Sequence, residues 1–241
     1  MTRIRARVAI LPTLKKLTQE DHQTLKAQGA LNKKFWNIEI PPFAAKVNVF
    51  RAETKKHYYF AQMRSCCYCS IELVDHHGSF DAEHIIDKDT YPQFMFEFTN
   101  LAASCKTCNG AKSNSAVLVS TFVPLSIPLN SADYLIVHPH LDEWDDHFVY
   151  DIIGRIIAAN VQNSKAKNTI KICGINYRNA ARLSDHFYPA GNDAAERALN
   201  GFFRVTNSAW KKKYVGILRK MADDFNLSGA LAIVNMLEKE I

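Results

Sequence analysis

Cys66-Cys67-Tyr68-Cys69 and, further along, Cys105-Lys106-Thr107-Cys108 are the two stretches on which the fold turns. Each is a C-x-x-C knuckle, in which two intervening residues let both sulfurs meet one tetrahedral ion at about 2.3 Å. Two knuckles complete a four-thiolate shell, which as a closed site is structural and suits Zn²⁺. Cys66 is preferred to Cys67 as a ligand, because only one residue separates Cys67 from Cys69. The expected zinc ligands are therefore Cys66, Cys69, Cys105 and Cys108. A lone cysteine reads better as a small buried apolar residue, and Cys173, beside Gly174, is read that way. Two correctly spaced pairs outweigh that reading. The interval from Cys69 to Cys105 exceeds that of a simple zinc ribbon, so something is inserted between the knuckles.

The insert holds Asp81-Ala82-Glu83-His84-Ile85-Ile86-Asp87-Lys88. Then come Phe98-Thr99-Asn100-Leu101-Ala102-Ala103-Ser104, running into the second knuckle and Asn109-Gly110-Ala111-Lys112. Together these residues resemble the HNH nuclease family. The resemblance implies a ββα-metal fold with an acidic residue and His on the first strand, Asn in the connecting loop, and His or Asn at the start of a helix. By position it makes His84 the general base and Glu83 with Asn109 the ligands of a catalytic divalent ion. It makes Asn100 the residue that holds the loop and orients the histidine. Lys112, one helical turn beyond the metal ligand, would contact a phosphate, and Lys88 is a second candidate for substrate binding. The resemblance also places the second knuckle just before the helix, whose N-terminal dipole would favour an anion near Asn109, Lys112 and Ser113.

Residue chemistry agrees with these roles. Imidazole titrates near neutrality, so a positioned His84 can take a proton from water. A carboxylate and an amide oxygen are hard donors, suited to Mg²⁺ or Mn²⁺ with positions left open for water and phosphate. The chain departs from the commonest pattern twice. Its third position is Asn109, an H-N-N variant, and Glu83 is one methylene longer than aspartate, so Asp81 could assist.

Working outward, the 241 residues carry a formal charge of +6, with 47% apolar and 22% charged residues. That balance is globular and favours a polyanionic partner without demanding one. The apolar stretch Val8 to Leu11 is too short for a signal-peptide core, and no run approaches a bilayer span. A cytoplasmic location is expected, where six cysteines point to metal binding before disulfides. Three regions follow: a helical region over 1–60, the nuclease module over 61–120, and a hairpin with helices over 121–241. A short helix is expected over Leu14 to Gln28, with a turn at Gly29. A second, from about Ala45 to Met63, has Val47, Phe50, Tyr58 and Met63 on one buried side. Two short strands around Gly154 and helices near 164–172, 179–186, 193–203, 209–225 and 228–240 complete an α+β, mainly helical protein with an embedded, zinc-stapled ββα-metal module.

Weaker signals have plainer explanations beside them. His76-His77 reads as an exposed hairpin turn before it reads as metal ligands. The run from His138 to His147 could form a second acidic metal site, though turn and cap chemistry explains its Asp and Pro content equally well. Lys211-Lys212-Lys213 with Arg219 and Lys220 could grip nucleic acid, but a lysine run beside an apolar stripe is usually a solvated face. Lys55-Lys56-His57 carries somewhat more weight. Tyr91 to Leu101, Leu141-Asp142-Glu143 through Gly154-Arg155-Ile156, and Thr169 to Asn176 are similar to a subgroup of bacterial HNH proteins. That subgroup includes the nuclease subunits of Septu-type anti-phage systems, some retron-linked, which work beside a separate ABC-type ATPase. The resemblance thus implies a metal-dependent endonuclease cutting DNA or RNA with such a partner. The alternative is a catalytically silent zinc module that binds nucleic acid or anchors a complex.

Overall fold

The computed structural model describes residues 4–76 and 78–241. Its first helix, α1 (Gln19–Leu31), is started by Thr18. The Thr18 hydroxyl accepts from the Asp21 N–H and the Asp21 carboxylate from the Thr18 N–H, both at 3.0 Å. This capping box delays the helix beyond the expected Leu14. The expected turn at Gly29 is also corrected. Gly29 lies inside α1, where a Cβ would stand 2.8 Å from the Phe96 ring. Helix α2 (Phe43–Ala61) buries Val47, Phe50, Thr54 and Tyr58. Met63 does not join them; it lies past the helix end with φ of 55° and is exposed.

The centre of the molecule is a ββα unit. Strands β1 (Phe80–His84) and β2 (Leu101–Cys105) pair antiparallel, with Asp81 opposite Ser104 and His84 opposite Leu101. Helix α3 (Lys106–Lys112) follows with no linking residue, because Cys105 ends the strand and caps the helix, its sulfur accepting from the Cys108 N–H. The end of α2 is tied to this unit by Gln62. Its amide donates to the carbonyls of Ser65 and Ala103 and accepts from the Ala103 N–H, at 2.8 to 2.9 Å.

A second hairpin, β3 (Phe148–Tyr150) with β4 (Ile156–Ala158), turns at Gly154 with φ of 81°. Five helices follow: α4 (Ser164–Ile172), α5 (Ile175–Ser184), α6 (Asn192–Arg204), α7 (Ser208–Asp224) and α8 (Ser228–Glu238). The fold is α+β and mainly helical, as its sequence leads one to expect. Helix α5 starts earlier than expected because Gly174, in the left-handed conformation at φ 62°, turns the chain directly out of α4.

Buried side chains form two clusters. One takes residues from Val8 to Ile175, including α2, the ββα unit and the β3–β4 hairpin; the other is built from α5 to α8. Extended chain near the N-terminus joins the first cluster. The Arg5 N–H donates to Ser70 Oγ at 2.6 Å, and its guanidinium reaches the carbonyls of Pro139 and Asp142 at 3.3 Å. Trp144 donates to the Tyr68 carbonyl at 2.9 Å, fastening the first knuckle from the far side. Among the described residues no helix is long and apolar enough to cross a membrane.

Candidate functional site

The four cysteines chosen by spacing converge. The sulfurs of Cys66, Cys69, Cys105 and Cys108 all lie within 4.8 Å of one another, and all four residues are buried. Cys69 and Cys105 sulfurs are 3.8 Å apart. A tetrahedron with bonds of about 2.3 Å has edges of about 3.8 Å. Backbone donors turn toward the sulfurs: Cys105 N–H to Cys66 Sγ at 3.3 Å and Cys108 N–H to Cys105 Sγ at 3.5 Å. The set fits a metal such as zinc. Cys67 stands outside it, its N–H donating to the Ala103 carbonyl. Burial works against the Arg178 charge on α5, but the nearby sulfurs, Cys105 first, raise its pKa, which places a cation beside what would be a net-negative thiolate centre.

Beside this centre opens a cavity of about 660 Å³ between α2, β1 and α3. Glu83, His84, Lys88, Asn109 and Lys112 all line it, so five of the predicted side chains share one space. His84 closes β1. Its Nε2 lies 3.0 Å from the Met95 carbonyl, which only accepts, so Nε2 carries the proton and Nδ1 is bare in the neutral ring. The Trp36 ring meets the imidazole edge-on, centroids 4.4 Å apart. Burial pushes the His84 pKa down to about 3, against the hydrogen bond to Met95, and Lys88 and Lys112 push the same way as burial. The ring is therefore neutral around pH 7.

Glu83 and Lys112 are paired inside the wall. Lys112 Nζ lies 2.9 Å from Glu83 Oε1, the two side chains being 1% and 3% exposed. Tyr68 adds a donor to the same oxygen at 3.3 Å. Burial raises the Glu83 pKa to about 7, with Lys112 pulling the other way. Strand alternation explains the placement, since Glu83 points beneath α3 toward the turn that carries Lys112. Asp81, two residues back on the same face, accepts from Asn109 Nδ2 at 2.7 Å and also pairs with Lys106. Lys88 sits on the rim, 3.1 Å from Asp89.

Asn100 does not line the cavity but stands wholly buried behind it. Its Oδ1 accepts from the Ile86 N–H at 2.7 Å, and its Nδ2 donates to the carbonyls of Ile86 and Phe94 at 3.1 and 3.0 Å. It thereby closes the β1–β2 connection one residue from Met95, the partner of His84.

Two expectations about the helix are corrected. The second knuckle forms the start of α3 instead of preceding it, because Cys105 is the cap and Cys108 lies within the helix. The helix N-terminus thus faces sulfur. Ser113 is the residue after the helix, at φ 45°, not part of its first turn.

The weaker signals resolve as turn and cap chemistry. His76 is exposed in a turn, and His77 lies outside the described residues. In the run from His138 to His147, Asp142 accepts from the His138 N–H at 2.6 Å and pairs with Lys165 at 2.6 Å. Among the described residues the four cysteines are the one group of three or more His, Cys, Asp or Glu side chains close enough to hold a metal.

Of the third wall only Lys55 was marked by the sequence. Trp36, Asn48, Arg51, Ala52 and Lys55 come from the region before residue 60 and line the same cavity. The 48, 51, 52, 55 spacing marks one helical face, but nothing in the sequence says that this face looks onto the insert.

The fold and site define an α+β protein with a four-cysteine ββα unit whose polar cavity collects a histidine, carboxylates, asparagine and lysines. It is similar to the Septu protein PtuB of Bacillus thuringiensis, with 28% identity over 166 residues, 68% of this chain and 49% of that protein. The chain spans about half the length of this curated relative. No family model matches it.

Proposed function

We propose that this protein is an HNH-type phosphodiester hydrolase acting on nucleic acid, a component of a Septu-type anti-phage defence system working beside an ATPase partner. The observation that carries the reading is the meeting of His84, Glu83, Asn109 and Lys112 in one cavity on a ββα unit fastened by four cysteines. The similarity to PtuB supports the defence setting.

His84 Nδ1 is the acceptor in this mechanism. Water attacks phosphorus, a proton passes to Nδ1, the new P–O bond forms and the bond to the 3′-oxygen breaks; that oxygen takes a proton from solvent, giving a 3′-hydroxyl and a 5′-phosphate. A pKa near 3 makes a weak base, and an anionic phosphate entering the cavity would raise it. Met95 and Asn100 position the ring; they touch no reacting atom. The hard donors nearest one another are the Asp81 carboxylate and the Asn109 amide, whose oxygen could hold a divalent ion once Asp81 gives up its bonds to Asn109 Nδ2 and Lys106. Glu83 can join them once Lys112 releases it. A bound Mg²⁺ or Mn²⁺ would supply charge neutralisation to the phosphate and leaving oxygen.

The test is cleavage of labelled oligonucleotides with Mg²⁺ or Mn²⁺ by the protein co-purified with its ATPase partner. His84→Ala is expected to abolish cutting with zinc content unchanged. Full activity in that variant removes His84 as the base and favours the catalytically silent zinc module.

A further inference from the structure

We infer that the face of α2 bearing Arg51 and Lys55 is the wall that grips the nucleic-acid backbone beside the reacting phosphate. This rests on the hydrolase reading above and extends it to a segment outside the ββα unit.

Four cations line the cavity: Arg51, Lys55, Lys88 and Lys112. Lys112 is paired with Glu83 and Lys88 with Asp89. Among the described residues neither Arg51 nor Lys55 has a carboxylate at salt-bridge distance, and both stand on α2. Each is held over an aromatic ring instead. The Arg51 guanidinium lies 5.5 Å from the Trp36 ring centre, and Lys55 Nζ lies 4.2 Å from that of Phe80. A ring fixes a cation in place without using up its N–H donors, which stay available to phosphate oxygens.

The orientation of this wall is set by the core. Val47, Phe50, Thr54 and Tyr58 are buried on the adjoining side of α2, with Arg51 and Lys55 half-buried at its edge, so the helix cannot turn the two cations away. The acidic side chains Asp81 and Glu83 come from β1 across the cavity. A phosphate between the walls would meet fixed cations on one side and a carboxylate-held ion on the other. Trp36 joins the two functions, touching both the His84 ring and Arg51.

The competing basic tract stands away from the site. Arg219 and Lys220 pair with Glu238 and Asp224, and α7, which carries Lys211, Lys212 and Lys213 as well, contributes nothing to the cavity. Lys212 and Lys213 therefore serve as a charge-matched control.

The experiment measures anisotropy of a fluorescent oligonucleotide over a salt series, in the His84→Ala background so that nothing is cut. Arg51→Gln with Lys55→Gln is expected to weaken binding about tenfold and to flatten the log–log salt slope by about 2, one for each lost phosphate contact. Lys212→Gln with Lys213→Gln is expected to change neither. Arg51→Lys with Lys55→Arg, which keeps both charges should the glutamine pair misfold, is expected to bind within about threefold of the parent. Equal binding by the glutamine pair, or an equal loss in the Lys212 and Lys213 control, overturns the inference and leaves the hydrolase reading intact. A parent that binds no oligonucleotide overturns both.

Discussion

Glu83 and Lys112 are two charges withdrawn almost completely from water, each the other's main compensation. Removing one partner leaves a buried charge, whereas removing both leaves a polar gap of lower cost. Lys112→Met is therefore expected to destabilise the protein by about 3 kcal/mol, the low end for a broken buried pair, since Glu83 can neutralise itself by taking a proton. The double variant with Glu83→Gln is expected to recover part of that loss, as urea unfolding with zinc present will measure. A Lys112→Met protein as stable as its parent would mean the pair is not held in solution. The two carboxylates of β1 also separate by role. Asp81 touches Asn109 in the open cavity and pairs with the exposed Lys106, whereas Glu83 is committed to the buried Lys112. Asp81→Ala is accordingly expected to raise the Mn²⁺ concentration for half-maximal cleavage at least about tenfold, as loss of a supporting ligand does. An unchanged Mn²⁺ requirement would return the ion to Glu83 and Asn109 alone.

Cys105 joins three elements: it ends β2, caps α3 and offers a sulfur to the metal centre. Cys105→Ser separates these duties, because a serine hydroxyl can still cap a helix but is a poor substitute for a thiolate. Elemental analysis is expected to give about one zinc per wild-type chain and a large loss in Cys105→Ser. Cys67→Ser, which alters a cysteine outside the cluster, is expected to keep its zinc; losing it would put the wrong sulfur in the shell. This staple and α4 were legible in the sequence because ligand spacing and helical period are local. Several boundaries were not. Gly29 reads as a turn until Phe96, distant in sequence, is seen to need the space of a side chain there. The start of α1 depended on a single capping box at Thr18. Apart from Lys55, the α2 wall of the cavity was illegible for a related reason: the amphipathic pattern shows which face is buried, but not what the flank beside it overlooks.

Across the whole molecule, the first core is closed by a connection carrying two buried histidines. His138 accepts the His140 N–H through Nδ1 at 3.2 Å, and His140 Nε2 donates to the Leu101 carbonyl at 2.7 Å, so this loop is fastened to the start of β2. The remaining ring nitrogens, Nε2 of His138 and Nδ1 of His140, are buried without a partner. Neither ring has an acceptor placed to welcome a second proton. Burial, reinforced by His140, holds His138 well below the usual imidazole value; burial, against the bond to Leu101, brings His140 down to about 4. Both are thus neutral when folded and take up protons near pH 6.5 when unfolded. The stabilising effect of keeping them neutral is complete above pH 6.5 and is lost as pH falls toward 4. Over that window each contributes a slope of up to about 1.4 kcal/mol per pH unit. The urea midpoint is expected to fall between pH 7 and 5, with zinc release followed separately by a chromogenic chelator. Replacing His140 by Gln, whose amide can still donate to Leu101 but cannot titrate, is expected to remove about a third of the histidine slope, since His84, held near 3, contributes over the same window. A midpoint with the same pH dependence in that variant would show that the acid sensitivity lies elsewhere, in the thiolate centre or in the carboxylate pairs that tie Asp142 to Lys165 and Arg155 to Asp151.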